Sequence, residues 1–393
     1  MHAKRLTAGV TALALALLSG CRGTGSIYSN FREISRIEII TTIGIDRAGE
    51  GADVTISSGR SPEGGQRLLM SRRGASVEQA MLSLQDYASS EELFFEHLEY
   101  FLVGEDTAQD GLEPVLDHIA RSPGVRLGVK LFVVRGGRAG DLMTGSGDGS
   151  YDVSEVLRSL ERDVRLSGVG TVFTAGETAR ALSENGAALI CAVSAEPVEG
   201  VVFGAENSVT AIPAGFGILN GGTLAGWLSS REAKAACLLS GRPGSPQLSV
   251  TDSRGGIATL VINDARCSAV PVYSGAALER IEVTAELGAS LLELSEPGRF
   301  EDGGYLEELS ELLADEVEDA FSSLFVRMNE TRCDFLGLAP MLRAQGVRKF
   351  DSLAPSWAEL VSAGAVPAAV TVTAEISRTL GLNAPADAKG GAN

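Results

Sequence analysis

The residues with the sharpest chemical meaning stand four in a row. Leu18-Ser19-Gly20-Cys21 ends an apolar run from Leu6 to Leu18, which itself follows a basic start at Lys4 and Arg5. The run is shorter than the roughly 20 residues a helix needs to cross about 30 Å of hydrocarbon, so it reads as a signal peptide and not as a span. Leucine, two small residues and a cysteine form the bacterial lipobox. The small side chains fit the peptidase, and the thiol takes a diacylglyceryl group before cleavage makes it the N-terminus. The expectation is therefore a signal peptide at 1–20 and a lipidation site at Cys21. Two acyl chains at about 0.8 kcal/mol per buried methylene, of the palmitate type, give stable attachment. The bland alternative is an ordinary secreted protein whose first cysteine falls here by chance. No later apolar stretch approaches spanning length.

Other reactive residues are few. A serine or cysteine hydrolase needs a base, and with His2 inside the signal peptide only His97 and His118 remain. His97 falls in an expected strand, "FFEHLEYFLVG". His118 falls near the end of an expected helix, where a cation suits the dipole. Both read as structural, and no GxSxG, SxxK or HExxH pattern accompanies them. Cys191, Cys237, Cys267 and Cys333 are scattered, with no CxxC pair and no nearby histidine, which argues against zinc. An extracytoplasmic location permits disulfides, burial as small hydrophobes explains the thiols equally well, and no bridge is assigned. The carboxylate pairs Glu91-Glu92 and Asp315-Glu316 read as solvated faces, although a two-carboxylate glycosidase would need only suitable geometry. The glycine-rich stretch 136–150, "GGRAGDLMTGSGDGS", matches neither phosphate-loop pattern and reads in part as a mobile loop. No catalytic residue, cofactor or metal is expected.

These residues must be carried by a body of 393 residues, 44% hydrophobic, with a net charge of −18 that deepens when Lys4 and Arg5 leave. The length suggests two or three domains. The charge repels nucleic acid and anionic headgroups, so membrane residence rests on the lipid hook. Residues 21–36 read as a tether. "RIEIITTIGID" places Ile37, Ile39, Ile43 and Ile45 on one face of a strand, and "ADVTISS" and "QRLLMSRRG" read as further strands. "SVEQAMLSLQDYAS" reads as a helix, "EHLEYFLVG" as a strand, Glu105 to Ile119 as a helix, and "RLGVKLFVVR" as a strand. "YDVSEVLRSLERDV" has helical spacing, and "AALICAVSA" reads as a buried strand. The segment 196–207 marks a boundary between an N-terminal region, 37–200, and a C-terminal domain, 205–382.

In that second half Ile281, Val283, Ala285 and Leu287 alternate with Glu282, Thr284 and Glu286, as a sheet with one wet face requires. Val370, Val372, Ala374 and Ile376 repeat the pattern. Between them, Leu306, Leu309, Leu313, Val317, Phe321, Leu324 and Met328 make a long amphipathic helix. Residues 383–393 read as a disordered tail. The fold class is α+β, multi-domain, with mixed or antiparallel sheets flanked by helices.

Several stretches together resemble the Ger(x)C family, the C-subunit lipoproteins of spore germinant receptors. They are the lipobox at Cys21, "TTIGID", and "LFFEHLEYFLVGEDTAQDGLEPVLDHIARSPGVRLGVKLFVVRG", where His97, Gly104, Ala108, Gly111, Asp117 and Arg121 fall at the family's positions. "SEVLRSLERD" and "AGFGILNGGTLAGWLSSREAKAACLLSGR" continue the match. A closing segment follows with Asp334, Gly337, Arg343 and Trp357 in the family's order. The pieces are collinear over roughly 21–382. In one respect the chain departs: "RGTGSIYSNFREISR" after Cys21 is longer than the family's tether and lacks its tryptophan. The resemblance implies three small α+β domains, two of them in the N-terminal half, and a non-enzymatic subunit. It implies partnership with polytopic A-type and B-type receptor subunits, and a place on the outer face of the inner spore membrane. The alternative is a stand-alone envelope lipoprotein that binds a solute or cell-wall fragment.

Overall fold

Isoleucines open the first sheet. β1 (Ile37–Ala48) pairs antiparallel with β2 (Gly51–Ser58), and β2 with β3 (Leu69–Gly74). α1 (Val77–Tyr87) follows, its first turn closed by the Ser76 hydroxyl, which accepts from the Gln79 N–H. The short β4 (Glu92–Phe94) lies parallel beside the start of β1, and β5 (Tyr100–Gly104) lies parallel further along it. α2 (Glu105–Asp110) and α3 (Glu113–Arg121) cross over to β6 (Lys130–Val134). α4 (Ala139–Thr144), α5 (Val153–Ser167) and α6 (Ala175–Asn185) cross over to β7 (Ala187–Pro197). β8 (Val209–Asn220) and β9 (Thr223–Leu228) close the sheet antiparallel, giving the order β3-β2-β1-β5-β6-β7-β8-β9. This computed structural model describes residues 37–59, 68–88, 92–122, 124–145, 152–167, 171–197, 209–242, 244–275, 277–296 and 304–379.

The parallel centre explains its own sequence. β5, β6 and β7 are apolar almost throughout because both faces are covered. Phe101, Val103, Leu131, Val133, Ile190 and Ala192 share a core with α1, α2, α3 and α6. Tyr100, Leu102, Phe132, Val134, Cys191 and Val193 share the other core with α4, α5 and the second half of the chain.

That second half begins with α7 (Ser230–Leu239), whose Ser229 and Glu232 form a reciprocal capping box. β10 (Gln247–Thr251), β11 (Ile257–Ser274) and β12 (Ala277–Leu294) follow as antiparallel neighbours. α8 (Tyr305–Thr331), α9 (Leu338–Gln345) and α10 (Val347–Ala363) then carry the chain to β13 (Ala368–Thr379), parallel to β12. Ile281, Val283, Ala285 and Leu287 are buried with Leu309, Leu313, Val317 and Phe321, as their alternation and helical spacing require. α8 also guards the outer strand: Val372 N–H donates to Glu318 and Ile376 N–H to the Ser310 hydroxyl, each at 3.2 Å. Occupied edge groups of this kind blunt strand addition.

Four expectations change. The expected face of Ile37, Ile39, Ile43 and Ile45 is interrupted by a bulge between Ile40 and Thr42, so Ile40 is buried and Ile39 is 46% exposed. The expected helix over Glu105 to Ile119 is two helices, broken at Gly111 and Leu112, where the Leu112 N–H bonds the Gly222 carbonyl at 2.9 Å. The stretch 136–150 contains α4, and residues 146–150 lie outside the described residues. The boundary segment expected in 196–207 lies outside the described residues from 198 on, and the strands on either side of it, β7 and β8, pair with each other. Where the resemblance implies three α+β domains, the described strands form two sheets, of nine and four strands. Cys21, the residues before it, the tether and the expected tail lie outside the described residues.

Candidate functional site

Asp46 ends the "TTIGID" motif and is 2% exposed at the carboxyl end of β1. Its two carboxylate oxygens accept the Ala139 and Gly140 N–H groups, each at 2.7 Å, and so cap α4 from 93 residues away. The motif's glycine makes this possible. A Cβ on Gly44 would stand 2.5 Å from Met143 Sδ and 3.1 Å from Ala139 Cβ, so only a bare backbone lets α4 lie on β1. Gly104 at the end of β5 is needed for the same reason, since a Cβ there would overlap the Asp46 carboxylate. Burial pushes the Asp46 pKa above the ordinary aspartate value, against the pull of the Gly140 and Ala139 N–H groups and of Arg138. Arg138 bonds Asp53 at 2.8 Å, and Arg73 bonds the same carboxylate at 2.9 Å, which holds Asp53 below its ordinary value.

Asp334 does the same work in the second half. Leu338 and Ala339 N–H groups reach its two oxygens at 2.8 Å each, the Trp357 indole also bonds it, and burial raises its pKa. Thus Asp334, Gly337 and Trp357 sit together as the cap of α9 and its brace on α10. Arg343 meets Asp351 at 3.6 Å across the same pair of helices.

Beside Asp46 opens a cleft of about 870 Å³. The β1–β2 turn forms one wall with Arg47 and Glu50, the start of α1 another with Ser76 and Glu78, and α2 and α3 the third. Ile45, Ala52, Val77 and Val115 supply its apolar lining. Two pairs brace it. Arg47 Nη1 donates to Asp110 at 2.8 Å, joining β1 to α2. His118 Nδ1 lies 3.2 Å from Glu78 Oε2, joining α3 to α1. Asp117 and Arg121, one turn apart on α3, pair at 2.6 Å on the rim.

His118 is at the end of its helix as expected, but not as a cation. Burial lowers its pKa below 6.5 despite Glu78, so the ring is neutral at pH 7. Its Nδ1 then carries the proton toward Glu78 and Nε2 keeps a lone pair. That Nε2 is sealed from solvent without a hydrogen-bond partner, as is the hydroxyl of Thr107 on the neighbouring wall. A buried polar atom left unpaired costs about 1–3 kcal/mol.

His97 lies elsewhere and differently from expectation. β5 begins only at Tyr100, so His97 stands in an exposed turn after β4, its ring 5.8 Å from that of Phe94. Of the carboxylate pairs, Glu92 is exposed, Glu91 lies outside the described residues, and Glu316 bonds Arg231 through both oxygens, tying α8 to α7. Cys191, Cys237, Cys267 and Cys333 are free thiols. Burial raises all four pKa values, Cys191 to about 12 and Cys237 and Cys267 to about 11, so none is a ready thiolate. Among the described residues no three His, Cys, Asp or Glu side chains converge as a metal site, and no helix is long and apolar enough to cross a membrane.

Asp46-capped and Asp334-capped helices on two mixed sheets, with a polar-rimmed cleft beside Asp46, define an α+β body of a recognisable class. Residues 30–195 match the family described as "Spore germination protein N-terminal domain", and residues 214–380 match "Spore germination B3/ GerAC like, C-terminal". A solved structure described as "Crystal Structure of the GerBC protein" has the same fold, with a TM-score of 0.57 and 18% identity over 85% of this chain and 96% of that one. No curated protein sequence matches the chain. The chain belongs to the Ger(x)C family of spore germination proteins.

Proposed function

We propose that the chain is a lipid-anchored, non-enzymatic subunit of a nutrient germinant receptor, tethered through Cys21 on the outer face of the inner spore membrane. It assembles there with A-type and B-type polytopic subunits. The observation that carries this reading is the pair of spore germination family matches, in order, over 30–195 and 214–380. The lipobox ending at Cys21 supports the anchor, and the acidic composition makes electrostatic adsorption to an anionic bilayer a poor substitute for it. The test has two arms. Replacing Cys21 with alanine should release the chain from the spore membrane fraction, and retention after a high-salt wash would count against the anchor. A pull-down from detergent-solubilised spore membranes should recover two polytopic partners. Recovery of this chain alone, with saturable binding of a small ligand, would favour a stand-alone envelope lipoprotein.

A further inference from the structure

The sequence holds two asparagine-glycine pairs, Asn185-Gly186 at the end of α6 and Asn220-Gly221 at the β8–β9 turn, and the fold sets them against each other. Ala187 stands opposite Asn220 in the β7–β8 ladder, and the Gly221 N–H donates to the Gly186 carbonyl at 2.8 Å. One pair belongs to each half of the chain. Asparagine before glycine is the sequence most open to deamidation, because no side chain hinders the glycine nitrogen from reaching the asparagine Cγ. Here both attacks are blocked. The Gly186 N–H is held by the Leu182 carbonyl at 2.9 Å and the Gly221 N–H by Gly186, so neither nitrogen is free to lose its proton and turn on the side chain. The Asn220 amide is drawn another way, its Nδ2 donating to the Thr331 carbonyl at 3.1 Å. Yet Asn220 is exposed, and its guard is the docking of a two-residue turn.

The products do not fit back. An aspartate at 220 sets a carboxylate oxygen where an N–H donor faced a carbonyl. At 185 the side-chain Oδ1 is already sealed without a donor, and a carboxylate carries charge into the same place. An isoaspartate at either position lengthens the main chain by one methylene beside the β7–β8 ladder. We propose that the two pairs form one gated modification site at the junction of the halves: deamidation waits on undocking of the β8–β9 turn, and conversion of one asparagine opens the way to the other. The step consumes only water. With the turn undocked, the glycine nitrogen gives its proton to hydroxide, attacks the asparagine Cγ and expels the side-chain nitrogen as ammonia. Water then opens the cyclic imide at either carbonyl, leaving aspartate or isoaspartate. The site is a property of the junction and does not depend on the receptor assignment, so the two readings fail separately.

The full chain in detergent micelles is incubated in mildly alkaline buffer, folded and in denaturing urea, and both peptides are followed by mass spectrometry with isoaspartyl-methyltransferase labelling. Conversion at Asn185 and Asn220 should be at least about tenfold slower in the folded chain, as local opening controls it. Low urea that leaves the global fold intact should raise conversion at Asn220 in step with hydrogen exchange of the Gly221 amide. Asn185→Asp, which carries the product of one conversion, should speed conversion at Asn220 severalfold while leaving Asn263, in β11 and bonded to Ser290, at its wild-type rate. Thermal melts establish that the variant is folded, and the urea series needs no variant. Equal rates in the folded and unfolded chain, conversion at Asn220 that ignores Gly221 exchange, or an acceleration in folded Asn185→Asp that is absent at Asn220 or shared by Asn263 overturns the proposal.

Discussion

Two histidines that look alike in the sequence occupy opposite environments, and their substitution should separate them. His97 is exposed in a turn and touches Phe94, so His97→Gln should change stability by less than about 0.5 kcal/mol, as surface replacements do. His118 is buried against Glu78, so His118→Gln should cost about 0.5–1.5 kcal/mol at pH 7.5 through the lost hydrogen bond. The two should differ in pH dependence as well. Burial holds the folded pKa of His118 below the 6.5 of an unperturbed histidine, with Glu78 and Asp117 opposing, so the unfolded chain binds its proton first. The contribution of His118 is therefore complete above pH 6.5 and is lost as pH falls through the folded value. Urea denaturation at pH 7.5, 6.5 and 5.5 should show the gap between wild type and His118→Gln narrowing as pH drops. A gap that widens would mean that the ring is protonated in the fold. The sequence puts one ring in a strand and the other on a helix, but it does not show that only His118 is covered, because the group that meets it, Glu78, is on another helix.

Elements were legible where burial is one-sided and long. α8 and β12 each carry an apolar repeat over many residues, so period alone identifies both the element and its inward face. α4 was not legible. It is six residues among glycines, and its cap is a carboxylate 93 positions upstream, so no local signal announces it. The bulge in β1 was hidden for a similar reason, since its cause is the pairing with β2. "TTIGID" was visible as a family pattern, and only the placement of α4 shows why it needs Gly44 and Asp46. That packing makes a specific prediction. Met143 is fully buried, so in Gly44→Ala its thioether cannot swing into solvent, and the strain should cost about 1–3 kcal/mol. Met143→Ala alone leaves a cavity and should cost about 2–5 kcal/mol. In the double variant the new methyl occupies part of that cavity, and the two losses should sum to more than the observed loss by at least about 0.5 kcal/mol. Strict additivity by chemical denaturation would show that Gly44 is not held by Met143.

At the scale of the whole molecule, the division into halves is clear in the sequence and in the family matches, while the sheet that crosses it is not. Alternation describes one strand at a time and carries no record of its neighbour, so β8 looked like the first strand of a separate domain. In the fold it pairs with β7 from Ala187 opposite Asn220 to Pro197 opposite Val209. Phe216 and Ile218 of β8 share one core with Tyr100 and Phe132 on one side and with Leu260 and Val283 on the other. Further ties cross between the halves: the Gly221 N–H bonds the Gly186 carbonyl at 2.8 Å, and the Leu112 N–H bonds the Gly222 carbonyl at 2.9 Å. A fragment of residues 205–382 should therefore not behave as an autonomous domain. Expressed alone, it presents the bare edge of β8 and its apolar side chains, and it should self-associate in size-exclusion chromatography. Co-expressed with residues 37–200, it should elute as a one-to-one complex, because the β7–β8 ladder can form without the covalent link. A monomeric 205–382 fragment with cooperative unfolding of its own would show that the shared sheet is dispensable, and that the halves are joined only by the chain between them.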